Sequence, residues 1–84
     1  MNADQQLDLF PETALLHCID LAQNKRRFYR LSIQPTLFGE WSVIREWGRI
    51  GRSGQAKLET MTNYPDAVGR LRSLRAQKTR RGYR

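Results

Sequence analysis

The residues best equipped for chemistry in this 84-residue chain lie in one stretch, Trp47-Gly48-Arg49-Ile50-Gly51-Arg52-Ser53-Gly54-Gln55. Glycines at 48, 51 and 54 let main-chain amides come close to an anion. Arg49 and Arg52 supply charge-assisted donors, and Trp47 offers a flat surface for a sugar or base. Together they suit a nucleic-acid backbone. The stretch lacks the Lys-Ser/Thr ending of a nucleotide-binding P-loop, and it lies between two strand-like segments where a P-loop needs a helix. On bare chemistry a hairpin turn with a core Trp fits the same residues equally well.

Other constellations are poor. His17 sits on an apolar strand face, where a satisfied core residue is the ordinary expectation, and Cys18 beside it points the opposite way, so the two do not form a metal site. Eight scattered carboxylates give no acid and base at a recognisable spacing, and Ser32, Ser42, Ser53 and Ser73 have no candidate His partner except His17. The expectation is a non-enzyme with no catalytic residue, metal, cofactor or small-molecule substrate.

Charge points to the partner. Fifteen Lys and Arg against eight Asp and Glu give +7. Met1 to Thr13 sums to −3, so the remaining 71 residues carry +10, and the last fifteen hold seven basic side chains and no acid. Such a field favours a polyanion, nucleic acid before an acidic membrane surface. A chain this short holds one domain at most, which excludes a multidomain enzyme. A lone Cys18 rules out an intrachain disulfide and suits a reducing compartment. With no apolar run of transmembrane length and no basic-then-apolar leader, the expected location is cytoplasmic, beside the nucleoid.

The elements that must hold these residues follow from periodicity. Residues 1–13 are expected to form a flexible acidic tail and residues 14–84 the domain. From Ala14, Leu15, His17, Ile19 and Leu21 alternate with Leu16, Cys18 and Asp20, apolar on much of both faces, which predicts a mostly covered strand. Gln23 to Arg26 is turn-like. Next, Tyr29, Leu31 and Ile33 alternate with Phe28, Arg30 and Ser32 to complete a hairpin. Pro35 and Gly39 bracket a loop before a third strand, Glu40 to Trp47, with Trp41, Val43, Arg45 and Trp47 on one face; Gln55 to Thr62 gives a fourth. The period then changes: Ala67, Val68, Leu71 and Leu74 form one helical stripe over about Tyr64 to Thr79, with start signals in Asn63, Pro65 and Asp66 and a stop in Gly82. The fold class is α+β, a small antiparallel sheet with one C-terminal amphipathic helix packed on it.

Trp47-Gly48-Arg49 resembles the signature of the WGR domain family. The likeness continues through Ile50-Gly51, Gly54-Gln55, Lys57 and Glu59, with Lys25 and Phe28-Tyr29-Arg30-Leu31 before it and Ala67, Leu74, Lys78-Thr79 and Gly82-Tyr83 after it, over roughly Leu15 to Tyr83. The resemblance implies a DNA-binding domain of antiparallel strands and one helix, known best from DNA-damage-responsive ADP-ribosyltransferases and also found in short bacterial proteins. It places Trp47 against the sugar of a nucleotide at a DNA break and Arg49 close to the DNA or to a neighbouring domain. Catalysis and signalling to a transferase domain do not carry over to a chain of this length. Among the other basic residues, Lys25, Arg30, Arg52, Lys57 and Lys78 are candidates for phosphate contacts, with Tyr83 a stacking or phosphate-bonding partner and Gly48 part of the motif's backbone. Neutralising about five phosphates predicts a slope near −4.5 for log affinity against log salt.

In the tail, Gln6-Leu7-Asp8-Leu9-Phe10 is similar to the pentapeptide by which bacterial polymerases and repair proteins dock on the sliding clamp. An extended segment of this kind presents Leu7, Leu9 and Phe10 to an apolar pocket while Gln6 makes polar contacts. The leading expectation is therefore a bacterial DNA-binding module acting in repair or replication at DNA backbone, ends or nicks, tethered to the clamp. A protein-interaction adaptor and a DNA-affinity subunit of a separate nuclease or transferase are the alternatives.

Overall fold

A computed structural model describes residues 12–84. The pentapeptide from Gln6 to Phe10 lies outside the described residues. Strands β1 (Thr13–Asp20), β2 (Lys25–Pro35), β3 (Trp41–Arg49) and β4 (Gln55–Met61) form one antiparallel meander in the order β1-β2-β3-β4, followed by helix α1 (Tyr64–Arg80). The α+β class and the single C-terminal helix match the sequence expectation, and α1 ends one residue beyond it.

Local chemistry sets each connection. Between β1 and β2, the Asp20 carboxylate accepts from the Ala22 amide at 3.1 Å to start a 3-10 turn over Leu21–Gln23. Asn24 then takes a left-handed conformation with φ 53°, which Asn tolerates better than most residues. After Pro35, the Thr36 hydroxyl accepts from the amides of Phe38 and Glu40 and holds the next loop. Helix α1 opens on Asn63, whose side-chain oxygen accepts from the Asp66 amide at 2.9 Å. It closes as the sequence suggested: Gly82, at φ 97°, lets the Gly82 amide reach the Thr79 carbonyl and the Tyr83 amide reach that of Lys78, the paired bonds of a Schellman motif. Arg84 and His17 then exchange two backbone bonds, the Arg84 amide to the His17 carbonyl at 2.7 Å and the reverse at 2.8 Å.

One helix covers one face. Ala67, Leu71 and Leu74 are buried against Leu16, Tyr29, Leu31, Ile33 and Val43, so the helical stripe and the Tyr29-Leu31-Ile33 face pair as their periods imply. Burying a side chain such as Leu31 fully contributes about 1.5–3 kcal/mol. Arg70 Nε meets Glu59 Oε1 at 3.1 Å and fastens α1 to β4.

Three expectations are corrected. β1 is an edge strand, and α1 reaches only its Leu16 side, so Leu15 and Ile19 stand 50% and 59% exposed rather than covered. His17 shares that uncovered side and is exposed, not a core residue, because no second layer lies over it among the described residues. The third strand also runs further than expected, through Gly48 and Arg49, which places the turn at residues 50–54.

Candidate nucleic-acid interface

The glycines do two different jobs. Gly51 takes φ 87° and makes the turn itself. Gly48 and Gly54 lie against one another: a Cβ on Gly48 would sit 2.8 Å from the Gly54 Cα, and one on Gly54 would run into the Trp47 carbonyl. Side chains are therefore excluded where β3 turns into β4, and the turn lies flat over Phe28.

The register sorts the expected site residues onto different surfaces. Pairing of Tyr29 with Trp47, Leu31 with Arg45 and Arg45 with Lys57 puts Trp47, Arg45 and Lys57 on the helix-covered side. There α1 brings Lys78, whose Nζ stands 4.8 Å above the Tyr29 ring and 5.3 Å from that of Tyr83. The two tyrosine rings meet edge to face at 6.1 Å. Trp47, Lys78 and Tyr83 are thus gathered around Tyr29, with Lys57 on the adjoining strand.

Arg49 is held elsewhere. Its guanidinium donates to the backbone carbonyl and to the side-chain oxygen of Asn24, each at 3.1 Å, and so ties the end of β3 to the β1-β2 turn next to Lys25. Arg30 and Arg52 belong to the opposite, uncovered face, where Arg30 Nη1 lies 3.5 Å from Glu46 Oε2 and 5.7 Å from the Phe28 ring centre. Gly48 opens to that face as well, since it pairs with Phe28.

Beside Trp47 lies a hollow of about 190 Å³, lined by Tyr29, Arg45, Trp47, Gln77, Lys78 and Arg81. Two of its lining residues carry a buried polar atom without a hydrogen-bond partner among the described residues: the Tyr29 hydroxyl and Arg45 Nε. Leaving such a donor unpaired costs about 1–3 kcal/mol, and bonding to a ligand oxygen recovers it. Desolvation holds the Lys78 ammonium below its ordinary pKa of 10.5, with Arg81, Arg45 and Arg27 adding repulsion. Three cations, Arg45, Lys78 and Arg81, line the hollow together with the Trp47 ring and the unpaired Tyr29 hydroxyl, an arrangement that a phosphate and its sugar would stabilise.

Arg45, Arg27, Tyr29, Gln77 and Arg81 were not among the candidate DNA-contact residues read from the sequence. Two of them had a signal there: Arg45 precedes Trp47 by two on the same strand, and Arg81 follows Lys78 by three in the closing turn of α1. Tyr29 depends on the β2-β3 register, which alternation alone does not fix.

The family profile described as "WGR domain" matches residues 12–84 of the chain. The chain is also 42% identical over 66 residues to "Uncharacterized protein y4dW" of Sinorhizobium fredii (strain NBRC 101917 / NGR234), a match covering 79% of this chain and 32% of that relative. The chain thus spans about a third of the relative's length. Among the described residues, no helix is long and apolar enough to cross a membrane.

Proposed function

This chain belongs to the WGR domain family, whose members are generally non-catalytic nucleic-acid-binding modules, and on that premise we propose that it binds DNA through the hollow beside Trp47. The observation that carries the reading is the pair of buried, unpaired donors, Tyr29 hydroxyl and Arg45 Nε, on residues that line a hollow among cations beside the half-buried Trp47 ring. An incoming phosphate accepts from both, and the charged form of Lys78 gains a counterion. Trp47 supports the adjoining sugar, which favours a strand end or nick, where the sugar face is free of a stacked neighbour. Arg27, Arg81 and Lys57 add field and draw the duplex in without reading its sequence. Arg49 acts through its clasp on Asn24: it keeps the β3 end and the Lys25 turn in fixed relation.

The experiment is fluorescence polarisation with blunt, nicked and closed duplexes at several salt concentrations. Binding should weaken with log salt at a slope near −4.5, as expected for about five neutralised phosphates. Nicked and blunt substrates should be preferred to closed circles. A flat salt dependence removes DNA as the partner.

Action in bacterial repair or replication belongs to the same proposal, together with docking on the sliding clamp through Gln6-Leu7-Asp8-Leu9-Phe10. A tail of ten residues extends at most about 35 Å. It would therefore hold the domain beside DNA threaded through a clamp at a high effective concentration. Replacing Leu9 and Phe10 by Ala should abolish clamp capture while leaving DNA affinity intact, and capture at undiminished strength rejects the tether.

A further inference from the structure

The uncovered face of the sheet carries a second, larger hollow, about 360 Å³, within the range of roughly 300–1,000 Å³ of small-ligand clefts. Its walls combine an aromatic ring in Phe28, apolar edges in Leu15 and Ile50, two cations in Arg30 and Arg52, and one carboxylate in Glu46. The glycine pair clears one flank. Gly48 and Gly54 already place the backbone against Phe28, so that a Cβ at either position would stand 3.4 Å or 3.0 Å from the ring, and no side chain there crowds it. The main-chain amides of Gly51, Ser53 and Gly54 make no hydrogen bond among the described residues, and all three residues line the hollow.

Each wall calls for a different part of one kind of ligand. A partly buried ring with a guanidinium 5.7 Å from its centre is a stacking platform for a flat heterocycle. Arg52 and the rim amides suit phosphate oxygens. Glu46 repels phosphate, so its presence marks the base end, where a carboxylate accepts from an exocyclic amino group. Its contact with Arg30, at 3.5 Å and with side chains 50% and 38% exposed, is weak enough to exchange for a ligand. We propose that this hollow is a nucleotide site: it takes one nucleoside phosphate, base against Phe28, amino edge toward Glu46, phosphate toward Arg52. The unit comes either from the unpaired end of a DNA strand or as a free mononucleotide, and only the first source rests on the DNA-binding reading above. The turn at residues 50–54 begins three residues after Trp47, at the end of the same strand, so a duplex end seated on the helix side would lie near this rim. An unpaired strand could then pass to the other face of the sheet.

The test uses the full chain, a blunt duplex, the same duplex with a three-nucleotide single-stranded extension ending in cytidine or thymidine, and deoxycytidine monophosphate. The wild type should bind the extended duplex about tenfold more tightly than the blunt one, the order of one stacked base. Phe28→Leu should lose that gain and keep its blunt affinity. Glu46→Gln, at an exposed position that leaves the fold intact, should keep the gain and lose the preference for a terminal cytidine over thymidine. The monophosphate should shift the amide resonances of Gly51, Ser53 and Gly54. Equal affinity for the two duplexes combined with these shifts assigns the free nucleotide as the source. Shifts with neither duplex bound uphold the hollow while the DNA-binding reading fails. Equal duplex affinities with no shifts overturn the proposal, as does a gain that persists in both variants. A dimer in sedimentation that Leu15→Lys dissociates also overturns it, because a second copy then covers the face.

Discussion

The two faces of the sheet are built from the same four strands and differ in what lies over them. On the helix side, Leu31, Ile33, Val43 and Leu71 are fully or almost fully buried, and the polar groups of Arg45, Tyr29 and Lys78 lie at the margin of that packing. There a charge is desolvated enough to change its titration. On the uncovered side Leu15 and Leu58 remain 50% and 59% exposed, and the cation–carboxylate pair of Arg30 and Glu46 faces solvent. The same residue types therefore carry different energies. A guanidinium at the edge of a core is a strong phosphate donor, whereas one on an open face contributes little until a ligand excludes the water.

The contrast can be broken at several points. Leu31→Ala on the covered side should lower stability by about 2–5 kcal/mol in urea denaturation, and a loss below 1 kcal/mol would mean that α1 does not seal this face. Trp47→Ala should cost about 1–3 kcal/mol of affinity for a blunt or nicked duplex while far-ultraviolet circular dichroism stays native. Unchanged affinity would move the interface away from the helix side.

Lys78→Met separates binding from stability. It should make the salt slope shallower by about one unit and weaken binding across all sequences. It should also raise the melting temperature near neutral pH, because the folded state holds this ammonium among desolvated and like-charged neighbours. The pKa is lowered on folding, so the unfolded chain binds more protons between the lowered value and 10.5, and wild-type stability rises with pH through that window. The stability advantage of Lys78→Met should therefore shrink as pH climbs toward 10.5, measured by denaturation of both proteins at each pH. DNA affinity of the wild type should fall over the same interval as Lys78 loses its charge. The smallest effect belongs to the open face: Leu58→Ala should stay within about 0.5 kcal/mol, and a loss above 1 kcal/mol would reveal a partner covering it in solution.

Legibility in the sequence followed how local the determining physics is. The stripe Ala67-Leu71-Leu74, the Asn63 cap and the Gly82 stop lie within a few residues of what they control, and all three are found in the structure. Alternation likewise assigned Tyr29, Leu31 and Ile33 to one side of β2 and Phe28 and Arg30 to the other. Alternation does not say which side a single helix will cover, and at an edge strand an apolar residue can stay wet, which is why Leu15, His17 and Ile19 read as interior. Non-local contacts were harder still. The Arg49 clasp on Asn24 joins residues 25 apart, and the gathering of Tyr29, Trp47 and Lys78 needs the β2-β3 register and the docking of α1 together. The basic residues singled out from the sequence were read as one set, and the register divides them between two faces and a clasp.

The paired backbone bonds between His17 and Arg84 also bear on solubility. An edge strand with free outward amides and carbonyls is a template on which another chain can add a strand and begin an aggregate. On β1 that edge is stoppered at His17 by Arg84, itself positively charged and carried there by the Gly82 turn. On β4, the other edge, Lys57 is exposed, and a charged side chain at such a position discourages strand addition. A sheet with no second layer over one face among the described residues thus carries, at both edges, features that discourage sideways extension.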